Sequence, residues 1–348
     1  MLETDARLAL IEDWLTRELR LPVQRLESAS NDASFRRYFR AFCDGATYVV
    51  MDAPADKEDV RPYLKVSGLL EPLGVHVPRV YHSDAARGLV LLEDLGRTLY
   101  LQRLRAGDDP GALYAAAFAT LTAIQVRGLT AAAELAPYNR AELLREMTLM
   151  PAWFLERHLA LTRTAAETQL FDAAFEFLVR EALAQPQVFV HRDYHARNLM
   201  VVSERGPGVI DFQDALRGPI GYDLVSLLKD CYIAWPRERV VRWVGEYRRR
   251  LIAAGGDGGA SEAQFLRWFD LIGVQRHVKV LGIFCRLWYR DGKAGYLADL
   301  PRTLAYVREA CALYPELGAL GEFLGERVAP ALAPANAAVE ARAAGANA

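Results

Sequence analysis

The sequence predicts an α+β protein of two lobes: a small antiparallel sheet with one packed helix over residues 1–95, then a mostly helical lobe over residues 96–328. Three observations carry this. At about 100 to 200 residues per domain, 348 residues suggest two domains or lobes with a cleft between them. Residues 35–42, 48–51 and 88–93 read as short strands, whereas residues 110–183 and 262–290 space their apolar side chains like helices. A composition of 52% hydrophobic and 25% charged residues belongs to an ordinary globular protein, which excludes disorder, collagen and coiled coil.

The elements follow in order. Leu8, Ile11, Leu15 and Leu19 make residues 5–20 an amphipathic helix. Residues 35–42 and 48–51 are strands joined by a turn at Cys43-Asp44-Gly45, an antiparallel hairpin. A helix over 60–73 is ended by Gly74 and Pro78, and residues 88–93 form another strand before the connector Asp94-Leu95-Gly96. Helical patterns fill 110–183, with Leu113, Ala117, Leu121 and Ile124 on one face. Short apolar strands return at 188–190, 199–202 and 209–210, with polar residues packed between them. Beyond Gly221 the chain is helical again, and residues 262–290 give about 29 residues, roughly 43 Å of helix. Residues 329–348 are rich in Ala, Pro and Asn without periodicity and read as a flexible tail.

A net charge of -2 argues against a nucleic-acid partner, since no excess of Lys and Arg is available to replace phosphate counterions. The balance conceals an asymmetry: residues 217–348 hold 18 Lys+Arg against 14 Asp+Glu, and residues 1–214 hold 24 against 30. The acidic start lacks the positive charge of a signal peptide, and no apolar run is long enough to span a membrane, so a cytoplasmic protein is expected. Cys43, Cys231, Cys285 and Cys311 lie far apart, without metal or redox spacing, and read as core thiols.

The chemistry concentrates in residues 191–214. His191-Arg192-Asp193-Tyr194-His195-Ala196-Arg197-Asn198 is followed by a strand, a turn and Val209-Ile210-Asp211-Phe212-Gln213-Asp214. This resembles the kinase catalytic loop H-R-D-x-x-x-x-N and the metal-binding D-F-G, with Gln213 in place of Gly. On that resemblance Asp193 holds a substrate hydroxyl in line with the γ-phosphate, and Asn198 and Asp211 supply oxygen ligands to Mg²⁺. His191 supports the fold of the loop by hydrogen bonds.

These residues, with Gly218-Pro219-Ile220-Gly221-Tyr222-Asp223-Leu224, resemble the aminoglycoside and choline phosphotransferase family, protein-kinase-like enzymes acting on small molecules. The stretch 209–228 and Gln275-Arg276-His277-Val278-Lys279-Val280-Leu281-Gly282-Ile283-Phe284 resemble more narrowly the bacterial anomeric sugar kinases of cell-wall recycling. The resemblance spans residues 5–328. It implies ATP and Mg²⁺ as cofactors, Asp193 as catalytic base, Asp223 as support of the catalytic loop, and backbone groups of Glu93 and Leu95 against the adenine. It also implies phosphorylation of N-acetylmuramate or N-acetylglucosamine at the anomeric hydroxyl. An aminoglycoside, choline or other small-alcohol kinase is a second reading, and a nucleotide-binding pseudokinase a third.

Two departures stand out. In place of a Gly-rich loop the chain has Ser28-Ala29-Ser30-Asn31-Asp32-Ala33-Ser34-Phe35, a small polar loop in which Ser30, Asn31 and Ser34 are candidate phosphate contacts. The strand that should carry the phosphate-binding Lys has Met51 there, and the helix that should offer its Glu partner has Lys65. Arg36, Arg37, Arg61 and Lys65 are the candidate replacements for the missing positive charge.

On the substrate side, Arg276, Lys279, Arg286 and Arg290 fall close to a single stripe of the 262–290 helix. The stripe is either a lining of the substrate cleft or a solvated outer face. As a lining it suits an anionic sugar acid better than a polycation, with Arg276 as a fork for a carboxylate. Arg197, Gln213, Asp214, Arg276 and Lys279 are the candidate substrate contacts. Trp153, Phe154, Trp235, Trp268, Trp288 and Tyr289 are either sugar platforms or core.

Overall fold

A computed structural model of the chain describes residues 6–31, 36–202 and 206–346. The fold is α+β and protein-kinase-like. The chain divides into two compact units, residues 1–124 with 197–215, and residues 125–196 with 216–348.

The first unit is built on a five-stranded antiparallel sheet in the order β1-β2-β3-β5-β4, with β1 Val23–Asn31, β2 Arg37–Cys43, β3 Ala46–Asp52, β4 Val80–Asp84 and β5 Leu89–Glu93. One strand covers ground expected to be loop: Ser28, Ala29, Ser30 and Asn31 belong to β1, where Ser30 pairs with Tyr38 and Asn31 with Arg37. Small polar residues are tolerated there because β1 is an edge strand with an irregular register between Ser28 and Ser30. The helix Ala6–Asp13 lies on one face of the sheet, and Ile11, Trp14 and Leu15 form a core with Ala41, Val50, Leu89 and Leu91. Successive strand residues point to opposite faces, so Asp52 shares the Val50 face, where the Arg7 and Arg37 guanidinium groups hold its fully buried carboxylate. The start of β5 meets the end of β3 through Ala53 N–H donating to the Gly88 carbonyl at 2.9 Å. Gly88 has φ +70°, and a Cβ on it would lie 1.7 Å from the Ala53 oxygen. Only glycine fits.

The second unit is helical around the 30-residue helix Glu262–Asp291. Ser261 caps its start by accepting from the Gln264 amide, and Gly292, in the left-handed region, ends it. Most of its residues from Trp268 to Cys285 are buried. At Gly282 it crosses Leu149 so closely that a Cβ would sit 2.3 Å from the Leu149 carbonyl carbon. The helix Ala165–Leu183 opens with a reciprocal cap between Thr164 and Glu167.

The end of the chain departs from the expected flexible tail: Ala329–Ala346 is a helix. Alanine is the strongest helix former, Leu332 and Val339 are buried seven residues apart, and the Asn336 carboxamide oxygen lies 2.8 Å from His158 Nε2. All four cysteines are free and buried. Among the described residues no helix is long and apolar enough to cross a membrane.

Candidate functional site

The metal-ligand candidates sit on a short hairpin of the first unit. Strand β7, Leu199–Met200, pairs with β8, Gly208–Val209, and the Ile210 amide donates to the Asn198 carbonyl at 3.1 Å. The hairpin is tied down where Val209 N–H reaches the His76 carbonyl and Val201 N–H the Thr98 carbonyl, both at 2.8 Å. The result brings Asn198 Nδ2 to 3.3 Å from Asp211 Oδ2. Asp211 itself is held at φ 64°, a conformation few residues with a Cβ adopt, and Phe212 beside it stacks on Tyr63 with ring centroids 4.7 Å apart. Gln213 Nε2 donates to Asp211 Oδ1 at 3.1 Å, so the residue standing where the kinase signature has glycine orients the carboxylate.

A carboxylate and a carboxamide side by side suit a hard cation once the carboxamide turns its oxygen to it. Among the described residues no group of three His, Cys, Asp or Glu side chains could hold a metal. Two protein ligands fit Mg²⁺, which keeps waters and phosphate oxygens in its shell, and do not fit an all-protein cage.

Sequence reasoning missed what fixes the connector after β5. Arg40, 6% exposed, donates from Nε and Nη2 to the two oxygens of Asp94 at 2.6 and 2.9 Å, and from Nη2 to the Gly96 carbonyl at 2.7 Å. Burial works against the charge on Asp94, but the bonds from Arg40, Thr47 and the Gly96 amide hold its carboxyl below the usual range. Glu93 donates its amide to the Arg79 carbonyl, and its carboxylate lies 3.2 Å from His76 Nε2. The Leu95 side chain packs over Gly208. Of the candidate phosphate contacts, the backbones of Ser30 and Asn31 lie in β1, and Ser34 falls outside the described residues. Arg197 and Asp214 are exposed.

In the second unit, β6 Gln187–Val190 pairs with β9 Leu216–Pro219 and leads directly into the catalytic loop. Fully buried Asp223 accepts from the His191 amide at 2.7 Å and from the Arg192 amide at 2.9 Å. Those two bonds hold the turn in which Arg192 takes φ 79°. Ala196 N–H donates to Asp230 at 3.1 Å, and the Asp193 amide donates to His191 Nδ1 at 3.3 Å. The side chain of Asp193 remains 44% exposed, with Arg276 Nη2 3.9 Å from its carboxylate. Burial alone would raise the Asp193 carboxyl, but His195, Lys279, Arg276 and Arg192 together hold it below the ordinary value, so it is ionised.

The cationic stripe of the long helix divides. Arg276 and Lys279 are buried, 3% and 8% exposed, which rules out a solvated face for them, whereas Arg290 is exposed and paired with Asp291. Lys279 Nζ lies 2.8 Å from Glu146 and 3.2 Å from the Tyr222 hydroxyl. Glu146 also meets Arg192 and the Tyr138 hydroxyl, and its carboxyl, which burial alone would raise, is held low by Lys279 and Arg192. Glu146 carries no motif in the sequence: it is buried within its helix, four residues after the half-buried Glu142, and nothing local distinguishes the two. Phe154 and Trp268 are core.

A family model described as the phosphotransferase enzyme family matches residues 25–266. A Pseudomonas putida protein named N-acetylmuramate/N-acetylglucosamine kinase is 44% identical over 96% of this chain and 100% of its own. One of the same name from Pseudomonas aeruginosa is 46% identical over 92% and 96%. Among solved structures, a choline kinase from Streptococcus pneumoniae superposes with a TM-score of 0.62 at 14% identity, over 89% of this chain and 100% of its own. An ADP-bound aminoglycoside phosphotransferase superposes with a TM-score of 0.56 at 17% identity, over 88% and 99%.

Proposed function

The chain belongs to the phosphotransferase enzyme family, and from that premise we propose that it is an ATP-dependent N-acetylmuramate/N-acetylglucosamine kinase that phosphorylates the anomeric hydroxyl. The observation that carries the reading is Asp193: a half-exposed carboxylate, kept ionised by surrounding cations, at the loop position that addresses the acceptor hydroxyl. Relatives alike over nearly their whole length support the choice of sugar.

Asp193 accepts a hydrogen bond from the anomeric hydroxyl and takes its proton as the new bond to phosphorus forms and the bond to the departing ADP oxygen breaks. Asp223 and Glu146 touch no substrate; they fix the backbone and the arginine that flank Asp193. Lys279 is paired with Glu146, and Arg276, 3.9 Å from Asp193, would meet the acceptor sugar. Asn198 and Asp211 would hold Mg²⁺, which when bound neutralises phosphate charge. The backbone around Glu93 to Leu95 receives the adenine, its connector braced by Arg40. ATP and the sugar are small solutes of the cytoplasm, where this reading places the protein.

A cationic acceptor is disfavoured by Arg276 standing 3.9 Å from Asp193. That sets the aminoglycoside or choline reading second, and Met51 motivates a non-catalytic nucleotide binder as the third. One assay decides. The protein is mixed with Mg-ATP and, separately, N-acetylmuramate, N-acetylglucosamine, choline and an aminoglycoside, with ADP followed by a coupled assay and the phosphorylated position by NMR. ADP release and an anomeric phosphate with either sugar are expected. Turnover confined to choline or the aminoglycoside would overturn the sugar assignment, and ADP from none would favour the binder.

A further inference from the structure

The geometry points to Arg36, held by Glu58, as the cation that anchors the nucleotide's terminal phosphates in place of the lysine that β3 lacks. This inference rests on the kinase reading above.

Strand β3 reads Ala46-Thr47-Tyr48-Val49-Val50-Met51-Asp52 and offers no Lys or Arg. Met51 is fully buried between Tyr38 and Val90 of the neighbouring strands, and the acid next to it is neutralised from the opposite face by Arg7 and Arg37. Phosphate charge must therefore be met from another element. The first unit narrows the choice. Arg37 is held by Asp52 and Arg40 by Asp94, while Arg61 pairs with Asp59 at the surface and Lys65 is exposed.

Arg36 differs from all of these. It immediately precedes β2 and is only 7% exposed. Its Nε lies 2.8 Å from Glu58 Oε1, and its Nη2 points to Asp211 Oδ1 at 3.7 Å, beyond normal hydrogen-bond length yet well within strong Coulomb range. A guanidinium this deeply buried requires anions around it. Glu58 provides one and fixes the planar group, as a helix glutamate does for the usual lysine but from a turn before the Arg61–Leu70 helix. The second anion, Asp211, is a candidate metal ligand. Once that carboxylate serves a divalent cation, the phosphate oxygens arriving with the cation are the anions left to balance Arg36, and its fork suits two of them.

The test uses the full chain with Mg²⁺ and isothermal titration calorimetry of ATP, ADP and adenosine against wild type, Arg36→Met, Arg36→Lys and Glu58→Gln, with thermal melts to establish folding. Arg36→Met should raise the Kd of ATP about tenfold to a hundredfold, the scale of a lost charge-assisted contact, and leave adenosine within about twofold. Arg36→Lys should recover part of the loss, and Glu58→Gln should show a smaller loss of the same phosphate-dependent kind. Should Arg36→Met not fold, the Lys and Gln variants decide by the same ATP-to-adenosine comparison. Equal losses for ATP and adenosine, or none for either, would overturn the inference while leaving the kinase reading intact. A wild-type chain that binds no Mg-ATP would overturn that reading, and this inference with it.

Discussion

Arg276, 3% exposed inside the long helix, brings its Nη2 to 3.9 Å from the Asp193 carboxylate. A guanidinium so placed favours the charged form of the acid and cannot be withdrawn into solvent. In Arg276→Met the acid limb of the kcat/KM profile for sugar phosphorylation should move to higher pH, because one of the cations depressing the Asp193 pKa is gone. The value at neutral pH should fall about tenfold or more, roughly 1.4 kcal/mol of transition-state stabilisation. Steady-state rates from about pH 5 to about pH 8 measure both, and an unshifted acid limb would show that Arg276 does not tune Asp193.

Asp193→Asn should lower kcat by about a hundredfold to ten-thousandfold, the usual weight of a positioned base. Asp193 is half exposed and asparagine keeps its volume, so the thermal midpoint should hardly change. Quenched-flow assays with N-acetylglucosamine, paired with calorimetric melts, separate the two effects.

Glu146 gathers Arg192, Lys279, Tyr138 and Gln275 around one buried carboxylate. Glu146→Ala removes the carboxylate shared by the buried Lys279 and the half-buried Arg192, at a cost of about 3–5 kcal/mol. Urea unfolding should show the midpoint falling accordingly. A loss under about 1 kcal/mol would mean that water replaces the carboxylate without penalty.

Two buried groups give stability opposite pH dependences. Burial, against the pull of the His191 and Arg192 amides, pushes Asp223 up to about 7. Its contribution is full below about pH 4 and is lost as pH rises through 7. Burial and the neighbouring Arg276 push His277 down to about 3, while its Nε2 stays 2.9 Å from the Lys229 carbonyl. Its contribution is full above about pH 6.5 and is lost as pH falls toward 3. His277→Gln keeps a donor but no titration, so its melting temperature should gain on wild type as pH drops from about 7 to about 5. Scanning fluorimetry at several pH values checks this; a gap that stays constant would contradict it.

Gly88→Ala adds a Cβ 1.7 Å from the Ala53 carbonyl oxygen at a positive φ. Strain and displacement together should cost about 3 kcal/mol or more, read from chemical denaturation of a variant whose active-site residues are unchanged.

The residues most legible in the sequence were those bound by fixed spacing. Asp193, Asn198 and Asp211 stand in a signature whose geometry depends on residue count, and the alternation of 35–42 and 48–51 gave β2 and β3 to within a few residues. Edge strands were harder: β1 lacks alternation beyond Leu26 and β4 is mostly exposed, so neither bears a hydrophobic pattern. The C-terminal helix was missed because its signal is alanine propensity and a dock at Asn336, not amphipathic period. Glu146, Glu58 and the Arg40–Asp94 pair were invisible for a common reason. An ion pair joins residues tens of positions apart, and nothing local in the chain announces its partner.

The buried cysteines give the molecule a built-in clock. Burial pushes every one of the four thiols up, Cys311 to about 12, and the thiolate is the form that reacts, so alkylating reagents modify each site only when its surroundings open. Cys43 reports on the first unit, whereas Cys231, Cys285 and Cys311 report on the second. Pulsed labelling followed by peptide mass spectrometry would thus time the opening of each unit separately in the unmutated chain, and a single cysteine added to the surface would take a fluorophore with no competitor.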